Sequence, residues 1–192
     1  MRRYFVLLAL IAVVVAGCKP LAPGAPSASP SASPQSRAGS LYEVHDPGQV
    51  TGSVPASCHA LAGPEPDPSC TPGAIDPAVT QANIATTICR RGYTATVRPP
   101  ENETSRLKSE LYVAYGITAG TVSELDHLVP LELGGANDVK NLWPEVGPLP
   151  NPKDKVENAL NDAVCSGKVP LAAAQKAIAA NWQTAEQALG VS

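Results

Sequence analysis

Residues 124–145 read ELDHLVPLELGGANDVKNLWPE, and the reading of this stretch decides the fold. It holds one histidine, His127, next to Asp126, then a Gly134-Gly135 pair, and Asn141 fourteen positions after the histidine. Polarity alternates weakly over residues 122–127 and again over 129–133, with a turn between. This predicts a β-hairpin or a sharply bent strand, followed by the Gly134-Gly135 turn. Residues 136–145 read as a loop with a short extended piece at Leu142 and Trp143. In a flat strand Asp126 and His127 point to opposite faces; at a strand end or bend they flank one site. A carboxylate there holds a hard divalent cation, and a neutral imidazole takes a proton from water. Those two functions are the minimal kit for phosphodiester hydrolysis, which also requires a second metal ligand, an orienter for the histidine and a path for the phosphate.

The run DHLVPLELGGANDVKNLWP resembles the HNH nuclease motif, the ββα-metal finger, over residues 122–162. The Asp-His pair, Pro130, the Gly-Gly turn and Asn141-Leu142 fall in its register. Flanking stretches, among them SCTPGAIDPAVTQANIATTIC, LPNPKDKVENAL and AAAQKAIAANW, resemble exported actinobacterial lipoproteins that carry this domain. The resemblance implies an α+β fold, a small and mainly helical domain around a ββα core. It implies Asp126 as a metal ligand, His127 as the general base that activates water, and Asn141 as the brace of the loop that holds the histidine. The family's third position, a His or Asn on the following helix, has no direct counterpart, because no histidine follows His127. Asn151 is the first candidate for that ligand and Glu157 the second, with Asn161 one turn further on. Glu124, on the same strand face as Asp126, is a candidate supporting ligand. Plainer roles stand beside these: Asn151 as a helix cap, Glu157 as the partner of Lys153 at spacing four, Trp143 as core. The cofactor implied is a divalent metal, Mg²⁺ or Mn²⁺ with Zn²⁺ a third candidate, and the substrate implied is DNA.

Around the motif the chain reads as helical. Residues 73–89 carry Asp76 and Pro77 as a helix start, with Val79, Ile84 and Ile88 facing inward. YTATVRPP, residues 93–100, alternates and stops at two prolines, which predicts a short strand or extended arm. Residues 104–116 place Leu107, Leu111 and Tyr115 on one helical face, with Gly116 to end it. Residues 151–168 form a helix capped by Asn151, with Val156, Leu160, Ala163 and Val164 as the apolar stripe and Gly167 at the end. The last stretch, 169–190, is one helix, or two broken near Asn181.

The first 17 residues join Arg2 and Arg3 to an apolar run and a VAGC ending, the pattern of a lipoprotein signal peptide with Cys18 as the lipid-attachment site. Residues 18–57 then form a Pro/Ala/Ser-rich tether too poor in large apolar side chains to fold, leaving 58–192 as the domain. Four cysteines remain in this exported context: Cys58, Cys70, Cys89 and Cys165. Three pairings are open, and Cys58–Cys70 with Cys89–Cys165 is favoured: the first staples a Pro-rich segment, the second ties an early helix to a late one. No CxxC pair supports zinc on these cysteines. Removing Arg2 and Arg3 with the leader leaves 12 basic and 17 acidic residues. That balance opposes tight non-specific binding to nucleic acid, which draws on Lys and Arg. The expectation is therefore a cell-surface, lipid-anchored endonuclease held to the membrane through Cys18. The alternative is an envelope lipoprotein that keeps the same fold as a binding or structural module.

Overall fold

The computed structural model describes residues 40–191 apart from 47 and 60–63. The leader, Cys18 and most of the tether lie outside the described residues. The described chain is α+β, with five α-helices, four short strands and three 3₁₀ turns in the order β1 (Tyr42–Glu43), β2 (Ala74–Ile75), α1 (Tyr93–Val97), α2 (Glu101–Ala114), β3 (Ser123–His127), β4 (Leu142–Val146), α3 (Lys153–Cys165), α4 (Leu171–Ala180) and α5 (Ala185–Leu189). The 3₁₀ turns are Gln81–Thr86, Leu131–Leu133 and Trp182–Thr184. Among the described residues no helix is long and apolar enough to cross a membrane.

The strands form two separate pairs. β1 runs parallel to β2, and β3 runs antiparallel to β4 with Glu124 opposite Glu145, Asp126 opposite Trp143 and His127 opposite Leu142. One apolar cluster gathers Val79, Leu128, Val129, Leu133, Leu160, Val164, Ile178 and Trp182. The other gathers Leu107, Leu111, Tyr115, Val139, Leu142 and Trp143 beside Cys58 and Cys70. The loop between β3 and β4 contributes to both clusters, so the segment that carries His127 is fixed on two sides. The cysteines pair Cys58–Cys70 and Cys89–Cys165, as expected. The second pair closes a separation of 76 residues and joins the segment before α1 to the end of α3.

Several elements match the sequence. Leu107 and Leu111 are buried on α2, and Gly116 after it takes the left-handed φ of +63° that favours glycine. Asn151 accepts a hydrogen bond at Oδ1 from the Lys153 amide (3.1 Å) at the start of α3. The last helical stretch breaks at Asn181, whose side chain accepts from the Thr184 amide.

Four expectations are corrected. The first five residues of the 93–100 arm, Tyr93–Val97, form a helix and not a strand. Tyr93 docks on the larger cluster, and Thr96 ties back to the Tyr93 carbonyl (2.6 Å), so tertiary contact overrides the β-preference of Thr and Val. Residues 73–89 are not one helix: Ala74 and Ile75 pair with β1, and Asp76 caps a turn through the Ala78 amide (2.8 Å). The partner of β3 is not 129–133 but β4. Leu131–Leu133 winds into a 3₁₀ turn, and the Asn141 side chain takes the place of a strand partner for Val129. The fold also begins before the expected boundary at residue 58. Tyr42–Glu43 is hydrogen-bonded as a strand, and Asp46 is buried, because polar side chains in 42–51 find partners in the 136–141 loop.

Candidate functional site

His127 closes β3 and Asp126 precedes it, so pleating sends their side chains to opposite faces of the hairpin. The chain turns immediately afterwards, and both residues nonetheless line one pocket of about 170 Å³. Its wall includes the carboxylates Glu124, Glu132, Asp154 and Glu157, with Arg98 and Thr94 from the α1 segment. Of the residues expected at the site, the structure gathers Asp126, His127, Glu124 and Glu157 here. Asn151 is not among the lining residues; it caps α3 with its side-chain oxygen. Asn161 turns to the Glu132 carbonyl (2.6 Å).

Asn141 sits under the loop rather than in the pocket, and it is fully buried. Its Nδ2 donates to the carbonyls of Val129 and Ala136 (both 2.9 Å). Its Oδ1 accepts from the amides of Val129 (2.9 Å) and Ala74 (3.3 Å). One amide side chain thereby pins the residue two positions after His127 to the far side of the Gly-Gly turn. Gly135 leaves room for this: a Cβ there would run into the Val129 carbonyl oxygen.

His127 is buried, and its Nε2 lies 2.9 Å from Asn137 Oδ1. Burial lowers its pKa from the ordinary 6.5, with Arg98 and Lys153 acting in the same direction, against the pull of Asn137 and Asp126. The imidazole is therefore neutral at physiological pH and able to accept a proton.

A buried cation dominates the Asp126 side. Lys153 is the first residue of α3, where the helix dipole disfavours positive charge. Its ammonium is nonetheless almost wholly enclosed, 2.8 Å from Asp126 Oδ2 and bonded to Glu157 and to the His127 carbonyl (2.7 Å). Burial alone would lower its pKa; Asp126 and Glu157 outweigh that and raise it above the ordinary value. Burial likewise works to raise Asp126, but Lys153 first, and the neighbouring Glu145, hold it low. Glu157 is pushed up to about 8 by burial despite Lys153. Glu145 is fully buried. Burial, and then the neighbouring Asp126 carboxylate, push it up to about 10, so it is protonated at neutral pH.

No family model matches the chain, and neither a curated protein nor a solved structure does.

The pocket is lined with carboxylate oxygens, two of whose side chains, Asp126 and Glu157, are already paired with Lys153. Besides Asp126 and Glu157, Glu124 and Glu132 each bury one carboxylate oxygen that has no hydrogen-bond partner, and burial raises both their pKa values. All are oxygen ligands of the kind Mg²⁺ and Mn²⁺ take. Among the described residues, no three His, Cys, Asp or Glu side chains already stand together as a ligand set.

Sequence reasoning missed Asp46, Asn137, Glu145, Glu132 and Arg98, and the spacing that pairs Lys153 with Glu157 did not show that the pair is buried. Glu145 becomes legible once β4 is recognised, since it stands opposite Glu124. Arg98 was hidden by reading its segment as an arm. Asn137 reads as a turn residue in GGAND, and nothing in the sequence ties it to Asp46, 91 positions upstream.

Proposed function

We propose that this chain is a phosphodiester hydrolase of the ββα-metal (HNH) type, acting on DNA outside the cytoplasm and tethered to the membrane through lipid on Cys18. The observation that carries the reading is the convergence of a neutral, buried His127 and the Asp126 carboxylate on one acidic pocket at the end of β3. The order β3, loop, β4, α3, with Asn141 under the loop, is the order the motif calls for. In this reading His127 accepts the proton of the attacking water. Arg98, on the same wall, meets the phosphate, whose charge it offsets. Asp126 would hold the metal, with Glu124, Glu132 or Glu157 as the further oxygen donors, and Mg²⁺ or Mn²⁺ is the cofactor proposed. Bound there, the metal would stabilise the charge that develops on the phosphate oxygens. Asn151 is set aside as a ligand because its side-chain oxygen caps α3.

The test is cleavage of plasmid and linear DNA by the purified protein with Mg²⁺ or Mn²⁺, beside His127→Ala and a chelated control. Metal-dependent cleavage that His127→Ala abolishes is the expected result. No cleavage by the wild type, or equal cleavage by the variant, overturns it.

One observation favours a second reading. Lys153 already pairs with both Asp126 and Glu157, as a scaffold without metal would require. In that case the same fold serves as an envelope binding module. It predicts no cleavage under any metal and no change in thermal stability on adding Mg²⁺ or Mn²⁺.

A further inference from the structure

Asn137 is buried and committed on every side. Its backbone amide donates to Asp46 Oδ2 (2.7 Å) and its Nδ2 donates to Asp46 Oδ1 (2.6 Å). The second proton on Nδ2 is taken by the Val97 carbonyl (2.8 Å). Both acceptors are oxygens with no proton to give, so the amide cannot be turned round: its Oδ1 would then face a carboxylate and a carbonyl. Oδ1 is therefore the atom that faces His127 Nε2, at 2.9 Å. An amide oxygen only accepts, so Nε2 must carry the proton. In a neutral imidazole the other nitrogen, Nδ1, then holds the lone pair. Among the described residues Nδ1 makes no hydrogen bond, and His127 lines the acidic pocket.

We propose that Asp46 and Asn137 are positioning residues that lock His127 as its Nε2–H tautomer, leaving Nδ1 as the nitrogen that accepts the proton from water. The role of Nδ1 as a base rests on the hydrolase reading; the tautomer does not. The arrangement is a carboxylate–amide–imidazole relay in which the amide passes on orientation rather than charge. Both oxygens of Asp46 grip one residue, and that residue reaches the histidine with the one atom it has left. A purely structural staple between residues 46 and 137 would need the two Asp46 bonds but not the third, to His127. The segment before residue 58 thereby becomes part of the active machinery.

The experiment is ¹⁵N–¹H correlation spectroscopy of the histidine side chains in the labelled protein, with cleavage kinetics on the same samples. The chain has three histidines, and the side chains of His45 and His59 are mostly exposed, so His127 is identified by its loss in His127→Gln. The expected wild-type spectrum has a protected proton on Nε2 and an unprotonated Nδ1. A proton on Nδ1 overturns the proposal outright, whatever the activity. In Asn137→Ala, and in Asp46→Asn as the variant that keeps the volume, the Nε2 proton is expected to lose its protection. The cleavage rate should fall by about 100-fold, the size of effect a misplaced catalytic group produces, with KM unchanged. A lost Nε2 signal with kcat intact overturns the positioning role. A wild-type protein with its proton on Nε2 that cleaves no DNA refutes the hydrolase reading and the base role of Nδ1, and leaves the Asp46–Asn137 lock standing.

Discussion

Replacing Lys153 by Met keeps an unbranched side chain, one atom shorter, and removes its charge and its hydrogen-bond donors. In the native protein the ammonium lies between Asp126 and Glu157 and also donates to the His127 carbonyl. Its removal leaves the Asp126 carboxylate buried with no cation, beside a Glu157 that burial already holds largely protonated at neutral pH. Breaking a buried ion pair from one side costs about 3–5 kcal/mol, and in a domain of this size each kcal/mol lowers Tm by roughly 2–4 °C. Lys153→Met is therefore expected to unfold some 10 °C or more below the wild type at pH 7.5. The pH dependence identifies the cause. Protonation of Asp126, which burial favours once Lys153 is gone, removes the stranded charge, so the deficit should shrink as the pH is lowered toward 5. In the wild type the stability from Lys153 is present below the ordinary lysine pKa and is lost only above its raised value. Denaturant unfolding followed by fluorescence of the two tryptophans, Trp143 and Trp182, both buried, measures it with the disulfides intact. Adding Asp126→Asn and Glu157→Gln to the same chain should recover most of the loss, since a neutral set of similar shape leaves no charge stranded. A deficit under about 1 kcal/mol, or one that is the same at both pH values, would refute the picture of a dry ion cage.

Glu145→Gln tests the raised carboxyl: the wild-type residue stays protonated in the fold to about pH 10 but ionises near 4.5 once unfolded. Wild-type stability is thus eroded as pH rises through that window. The advantage of the glutamine variant should grow with pH by up to about 1.4 kcal/mol per unit, and a pH-independent difference in urea unfolding would contradict it. Asn141→Asp keeps the acceptor oxygen but cannot donate to both Val129 and Ala136. Two buried carbonyls left unpaired at about 1–3 kcal/mol each should cost several kcal/mol by thermal melting, against no loss if the loop has other supports. Replacing Cys89 and Cys165 together by Ser opens a loop closed over 76 residues, for an expected loss of about 4.5 kcal/mol by chain entropy. Calorimetry showing less than 1 kcal/mol would mean that the unfolded chain gains little freedom. Cys18→Ser should release the protein from the membrane fraction and abolish fatty-acid labelling, and persistence of either would place the anchor elsewhere.

Regularly spaced apolar residues and capping chemistry were legible from the sequence. Leu107 and Leu111 mark α2, Asn151-Pro152 mark the start of α3, and the favoured one of three cysteine pairings is the one formed. The strand pairing was not legible. β4 is LWPEV, and its first four residues are all buried, including Glu145, so it shows no alternation. The apparent second strand at 129–133 has its alternation because a 3₁₀ turn buries Leu131 and Leu133. The β-branched residues of α1 suggested an extended arm because the contact of Tyr93 with the core is invisible locally. At the site, adjacency gave Asp126 and His127 and the motif gave Asn141. The remaining groups are polar residues brought in over long separations, and polar pairs such as Asp46–Asn137 leave no periodic trace in either segment.

The junction at Asp46 also sets a boundary for trimming the chain. A cut before residue 40 would leave β1, the Asp46–Asn137 contact and both disulfides intact. A cut between residues 47 and 57 would leave both disulfides closed and most of the core packed, yet remove the carboxylate that holds Asn137 against His127. Cuts only a few residues apart would thus separate a domain whose histidine keeps its hydrogen-bond partner in place from one whose histidine does not.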